Sequence, residues 1–212
     1  MHDSQHPDRL ISRIESFSDL VIGFSLALLA LTLTIPPHFS DIFFHPWMLI
    51  AYFWTFAVIS GVWFNHQRLF RSFFYPEPIS IDLNFLFLSM IGLIVYFVQA
   101  FVHYREADKL WAFLAYFTVT AVALIVIGTL YVHGLRRRWD QLGADDRLLG
   151  IRHGTRGLAV GAAILVGVLI TGSLPAPSLS DVWPIPLCAA AGGLVSRLCT
   201  RFFRSRVLEA QS

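Results

Sequence analysis

Arg13, Asp19, His66 and Asn84 are the polar side chains best placed to do chemistry in this chain, because each lies inside or beside a long apolar run. An ionisable group in hydrocarbon is costly unless it is paired. Asp19 therefore asks for a partner, and the natural candidates are Arg13, six residues earlier, and His66. Asn84 falls at a similar depth in a third apolar run. The four predict a hydrogen-bond network near one membrane face that ties three helices together, with coupling to gating or contact with a passing solute as alternatives. His66 belongs to a residue type that titrates near neutrality, yet a lone histidine in a network reads first as a fixed partner.

Nothing in the sequence points to catalysis. No G-x-S-x-G, H-E-x-x-H or phosphate-loop pattern occurs, and no two carboxylates are paired within an apolar run. The other acid in such a run, Asp82, sits at the start of its stretch. The chain is read as no enzyme, with no cofactor and no metal site. Cys188 and Cys199 lie eleven apart in one stretch, cannot bridge each other, and read as small packing residues.

The first apolar run carries two stripes. At about 100° per residue, Leu20, Phe24, Ala27 and Leu31 share one face, while Ser18, Ser25 and Thr32 share another roughly 130° away. If this helix lined a pore, the first stripe would make a hydrophobic constriction and the second a weak polar track. Otherwise both are packing faces, which is the reading the spacing alone favours.

Six apolar runs must position these residues, over about 17–35, 47–70, 79–102, 110–132, 157–174 and 182–203. Each is long enough to cross the hydrocarbon as a helix, the only open-chain form that satisfies its own backbone there. Of the 212 residues 56% are apolar and 14% charged, against about 25% charged in an ordinary soluble domain. Mean hydropathy is +0.62. Soluble enzymes and nucleic-acid-binding domains are excluded as leading readings, and a net charge of +2 implies no polyanionic partner. The expected architecture is an all-α membrane protein of one transmembrane domain, residues 1–212, with the lipid bilayer as its surroundings. The polar N-terminal stretch MHDSQHPDRLISRIES is not read as a signal peptide.

Basic residues set the orientation. With the N-terminus in the cytoplasm, Arg9, Arg13, Arg68, Arg71, Arg136, Arg137, Arg138, Arg147, Arg152, Arg156, Arg197, Arg201, Arg204 and Arg206 fall inside, and only Arg105 and Lys109 outside. The positive-inside rule then places both termini in the cytoplasm. The longest inside connection, about 134–152, contains Arg136, Arg137 and Arg138, a topology determinant that could also meet anionic lipid heads. Gly157, Gly161, Gly167, Gly172, Gly192 and Gly193 read as faces where helices approach closely. Trp47, Trp54, Trp63, Trp111 and Trp183 read as interfacial belts.

Three motifs resemble the transmembrane protein 175 family of potassium channels. Arg13-Ile14-Glu15-Ser16-Phe17-Ser18-Asp19 matches the family's R-x-x-x-F-S-D signature, and Pro36 ends the run where the family has a proline. Trp63-Phe64-Asn65-His66 with Arg68 and Phe70 is similar to its W-x-x-H-x-R-x-F pattern, and Leu83-Asn84-Phe85-Leu86-Phe87-Leu88 to its L-N-L-L-F-L start. The resemblance implies a six-helix subunit of the prokaryotic type in the cell membrane. It implies a homotetramer around a central pore lined by the first helix, with K+ as the permeant ion. Leu20, Phe24, Ala27 and Leu31 would then be the pore stripe, with Phe24 and Leu31 as the hydrophobic gate. Arg13, Phe17, Ser18, Asp19, Trp63, His66 and Asn84 would form the motif network. The family pattern has Ile or Leu, Thr and Leu where this chain has Phe24, Ala27 and Leu31, and this chain has no Pro-Phe-Pro element in its third run.

Two other classes compete. A secondary transporter needs an ionisable site near the midplane or an inverted repeat, and neither is apparent. A non-conducting structural or interaction member of the family is the other, and Phe24 and Ala27 are its argument.

Overall fold

The computed structural model describes residues 5–33, 38, 46–104 and 106–209. The expected end of the first run at Pro36 and the outside charge Arg105 lie outside the described residues, as does the side chain of Arg206. The chain is all-α, with six helices long and apolar enough to cross a membrane. They are α1 (Gln5–Leu29), α2 (Trp47–Ser72), α3 (Pro78–His103), α4 (Glu106–Arg138), α5 (Ala144–Gly172) and α6 (Pro184–Glu209). Short 3-10 turns follow α1 at Ala30–Thr32, follow α4 at Trp139–Gln141, and precede α6 at Leu179–Asp181.

The apolar runs at 47–70 and 79–102 coincide with α2 and α3 to within two residues at each end. Elsewhere the helices outrun the hydrocarbon. α1 begins well before residue 17, and α4 continues through Arg136, Arg137 and Arg138. α5 begins at Ala144, so the connection expected over 134–152 shrinks to residues 139–143. Hydropathy marks where a helix meets lipid and is silent about polar turns that continue it into water. Pro78 opens α3 at its first position, where a missing N–H is harmless.

Side-chain contacts fix the helix directions. Ser18 of α1 meets Asn84 of α3 and Leu28 meets Gln99, so these two helices run the same way. Thr55, Asn65 and Ser72 of α2 meet Tyr116, Tyr131 and Arg138 of α4 in the same order, so that pair is also parallel. Asp19, early in α1, meets Trp63 and Gln67, late in α2. Down the far side, Gly157 and Gly161 of α5 pass Leu124 and Ala121 of α4 in reverse order, and Thr155 and Gly167 pass Ser196 and Ile185 of α6 likewise. Successive helices therefore alternate. Arg68, Arg71, Arg136, Arg137, Arg138, Arg152, Arg156, Arg197 and Arg201 all gather at the end where α1 begins and α6 finishes.

α1, α2 and α3 pack on one another, α4 packs on α3, α5 on α4 and α6 on α5. The core runs from Ile22, Leu29 and Ile59 through Phe87, Ile91 and Ile94 to Ile127 and Tyr131. Along α4–α6 the backbones approach so closely that a Cβ on Gly157 would lie 2.7 Å from the Leu124 carbonyl oxygen, and one on Gly192 2.6 Å from that of Ala159. Gly161 and Gly167 are equally tight. Gly172 and Gly193 differ from expectation, since a Cβ there meets an atom only at 3.9 Å or nothing at all, so they serve no close approach. Cys188 and Cys199 are free thiols, partly buried on α6.

Candidate functional site

α1 presents its two stripes to opposite surroundings. Ser18, Ser25 and Thr32 are buried against the other helices together with Ile14, Ile22 and Leu29. Each hydroxyl donates back to its own helix, Ser18 to Ile14, Ser25 to Val21 and Thr32 to Leu29. That local bond lets a polar side chain pack in an apolar interface without an orphan group. Leu20, Phe24 and Leu31 stand 56%, 62% and 71% exposed, and Ala27 lies on the same open face. The hydroxyl stripe thus forms the packing face, and the apolar stripe is left outside the core. Where α1 passes into its 3-10 turn, the Gln99 side chain of α3 donates to the Leu28 carbonyl at 3.3 Å. A tightened turn shifts carbonyls out of the α-helical register, and Gln99 meets one of them.

At the basic end, α1 is tied to its neighbours by a polar anchor. The Asn84 amide N–H donates to Ser18 Oγ at 3.0 Å, and its Oδ1 is 2.9 Å from His66 Nε2. Because Oδ1 can only accept, His66 donates through Nε2. Its Nδ1 is buried with no hydrogen-bond partner. The ring is held by Phe87, stacked at 5.2 Å, and by Phe70 at 4.7 Å. Ser18, His66 and Asn84 are all fully buried, so this chain of bonds joins α1, α3 and α2 away from water.

Asp19 finds different partners from those expected. The indole N–H of Trp63 and the side-chain amide of Gln67 both donate to its Oδ1, at 2.9 and 2.6 Å. Two donors thus meet one carboxylate oxygen, and Asp19 is hydrogen-bonded without an opposing charge beside it. Arg13 is exposed and makes no bond to Asp19. Six residues along an α-helix turn about 240°, which carries Arg13 off the face that Asp19 shares. His66 likewise bonds Asn84 rather than Asp19. Phe17 is half exposed and meets Phe85 of α3 edge to face at 5.9 Å.

The structure therefore brings Ser18, Asp19, Trp63, His66 and Asn84 together and leaves Arg13 apart. Sequence reading missed Gln67 as a member. Its signal was present, because Trp63 and Gln67 are four apart and share one face of α2. Two arginines of the 136–138 run, read as a topology determinant, are also engaged: Arg137 pairs with Glu77 at 3.0 Å, beside His133 at 3.1 Å, and Arg138 donates to the Ser72 carbonyl at 2.8 Å. These contacts clamp the end of α4 to the α2–α3 corner. Among the described residues no cluster of acids, histidines and cysteines could hold a metal ion.

Three comparisons with known proteins bear on this chain. Residues 13–94, which hold most of α1, all of α2, most of α3 and the whole polar anchor, match the family model described as endosomal/lysosomal potassium channel TMEM175. A curated protein of Marivirga tractuosa described as a potassium channel is 32% identical over 85 residues, which are 40% of this chain and 34% of that relative. The matched stretch thus spans about a third of the relative's length. A crystal structure of a variant of the potassium channel MtTMEM175, in complex with a Nanobody-MBP fusion protein, resembles this chain with a TM-score of 0.66 at 19% identity. It covers 91% of this chain and 93% of that one, and at this identity the likeness shows the fold. The family resemblance carried by the three motifs is borne out over 13–94, and the six-helix membrane architecture over nearly the whole chain.

Proposed function

We propose that residues 1–212 form one channel subunit, and that four copies surround a pore lined by α1, with K+ as the preferred permeant ion. The observation that carries this reading is the division of α1. Its hydroxyl face is consumed by packing inside the subunit, while Leu20, Phe24, Ala27 and Leu31 are left without a partner. A helix anchored this firmly on one side can offer the other to a symmetry axis. The match of 13–94 to a potassium-channel family model supports the same reading.

In such an assembly, rings of Phe24 and Leu31 form the constriction, and water leaves an apolar ring of this kind readily, which blocks ions. Ala27 sits between them and offers methyl groups where the family pattern has a hydroxyl. Discrimination among cations would then rest on dehydration, which costs K+ less than Na+. The polar anchor of Ser18, Asp19, Trp63, His66 and Asn84 sets the rotation of α1 and so which residues face the axis. Arginines at the anchor's end support its placement in the cytoplasm with both termini, in the cell membrane.

The test is ion flux from liposomes holding the purified protein. K+ moves down its gradient faster than from empty vesicles, and faster than Na+. Phe24→Ala widens the constriction and raises K+ flux several-fold. Flux no greater than from empty vesicles overturns the channel reading and favours a non-conducting member. An unchanged Phe24→Ala rate means that another face of α1 meets the axis.

A further inference from the structure

A groove of about 800 Å³ runs along the subunit surface with α2 and the α5–α6 pair as its walls and α4 as its floor. On α2 it extends from Trp54 to Arg68, about 21 Å of helix at 1.5 Å per residue, which exceeds half of a hydrocarbon core about 30 Å thick. Its lining is mostly apolar along this length, interrupted by Tyr116, Thr120 and Asn65, and turns basic at one end. There Arg68, His153 and Arg156 meet, with the His153 ring stacked on Tyr131 at 5.3 Å. No carboxylate lines the groove. Neither Arg68 nor Arg156 has a hydrogen-bond or ion-pair partner among the described residues, unlike Arg137 and Arg138 of the same end. Two unpaired guanidiniums beside an apolar channel of one-leaflet length ask for a ligand with an anion at one end and a hydrocarbon chain behind it.

We propose that this groove binds an anionic phospholipid, with its phosphate between Arg68 and Arg156 and an acyl chain lying along α4 beneath Gly61 and Phe64. A zwitterionic lipid fits less well, because the basic end offers its ammonium no carboxylate. The site belongs to the leaflet facing the arginine-rich end. It rests on the subunit alone, and its test is read without ion flux, so it stands or falls apart from the channel reading.

The experiment is native mass spectrometry of the purified protein in neutral detergent, titrated with dioleoyl-phosphatidylglycerol or dioleoyl-phosphatidylcholine. Phosphatidylglycerol adducts predominate, and each of Arg68→Gln and Arg156→Gln weakens their retention about fivefold, while phosphatidylcholine binding changes little. Arg204→Gln removes an exposed charge at the same end, away from the groove, and leaves retention unchanged. Gly61→Leu fills the groove and lowers binding of both lipids. The fold tolerates it, since a Cβ there meets nothing within 4 Å. An excess of inorganic phosphate does not displace the lipid. Equal retention of the two lipids, an equal loss from Arg204→Gln, or no effect of Gly61→Leu overturns the proposal. So does efficient disulfide linkage between copies carrying Ala57→Cys in a background without Cys188 and Cys199, because a second copy would then occupy the groove.

Discussion

α1–α3 and α4–α6 are held together by different physics. In the first trio, side chains reach between helices: Asn84 bridges Ser18 and His66, and Trp63 and Gln67 converge on Asp19. In the second, glycines let backbones touch, with Gly128 and Gly157 facing each other across α4 and α5, and Gly192 lying against Ala159 on α5. Lipid tails are as apolar as leucine, so helices in a membrane gain little by hiding apolar surface from them and rely on close packing or hydrogen bonds instead. The first half takes the hydrogen bonds, and the second relies mainly on close packing, with Thr155 meeting Ser196 as its side-chain bond between α5 and α6. Hydrogen bonds are directional and fix the rotation of a helix about its axis. Glycine contacts fix separation and leave finer rotation to the surrounding side chains. The half with the rotational lock is the half that carries α1 and the motif match.

The contrast breaks most visibly at the glycines. Gly157→Leu must push backbone against backbone, and the α4–α5 pair has no flexible side chain that could yield there, so the loss of stability reaches about 3 kcal/mol. Thermal unfolding in detergent reads it as a marked fall in Tm, and a mild shift would mean that α5 can slide on α4. Asn84→Leu comes second. It leaves the buried His66 Nε2 without an acceptor and costs about 2 kcal/mol. Its sharper signature is the solvent exposure of α1, read by cysteine accessibility at Phe24→Cys, which changes only if the anchor sets rotation. Trp63→Phe is the smallest, at about 0.6 kcal/mol, the average for a hydrogen bond between membrane helices. Gln67 still holds Asp19 in that variant, so Tm barely moves. If Trp63→Phe instead matched Asn84→Leu, the indole would be more than one bond of a shared pair.

The sequence made much of this legible, for identifiable reasons. Long apolar runs and the sidedness of arginine reveal the six helices and their alternation, because hydrocarbon permits few alternatives. The depth of Asp19, His66 and Asn84 on three runs pointed to a network, which the structure divides into Ser18–Asn84–His66 and Asp19–Trp63–Gln67. What depth could not supply was angle. Arg13 sits at a plausible level for Asp19 but on another side of α1, whereas Trp63 and Gln67 sit on the face of α2 that meets it. The helical turns of α5 before Gly157 were hidden because they are polar and end in water. The two stripes of α1 could be drawn from spacing, but which one packs depends on the neighbours, and the neighbours chose the hydroxyls.

The gathering of arginine at one end has an electrical consequence. A membrane potential does about 2.3 kcal/mol of work per elementary charge for each 100 mV crossed. From Leu20 to Thr32, Trp47 to Asn65, Leu83 to Val102, Leu110 to Val132, Gly157 to Gly172 and Pro184 to Ser196, the chain holds no Asp, Glu, Lys or Arg. A voltage step therefore finds no fixed charge across these stretches, and the charges that border them, such as Asp19 and Arg68, lie toward one end. A field across the middle of the helices thus acts on no side-chain charge of this chain, and its charged groups lie toward the helix ends.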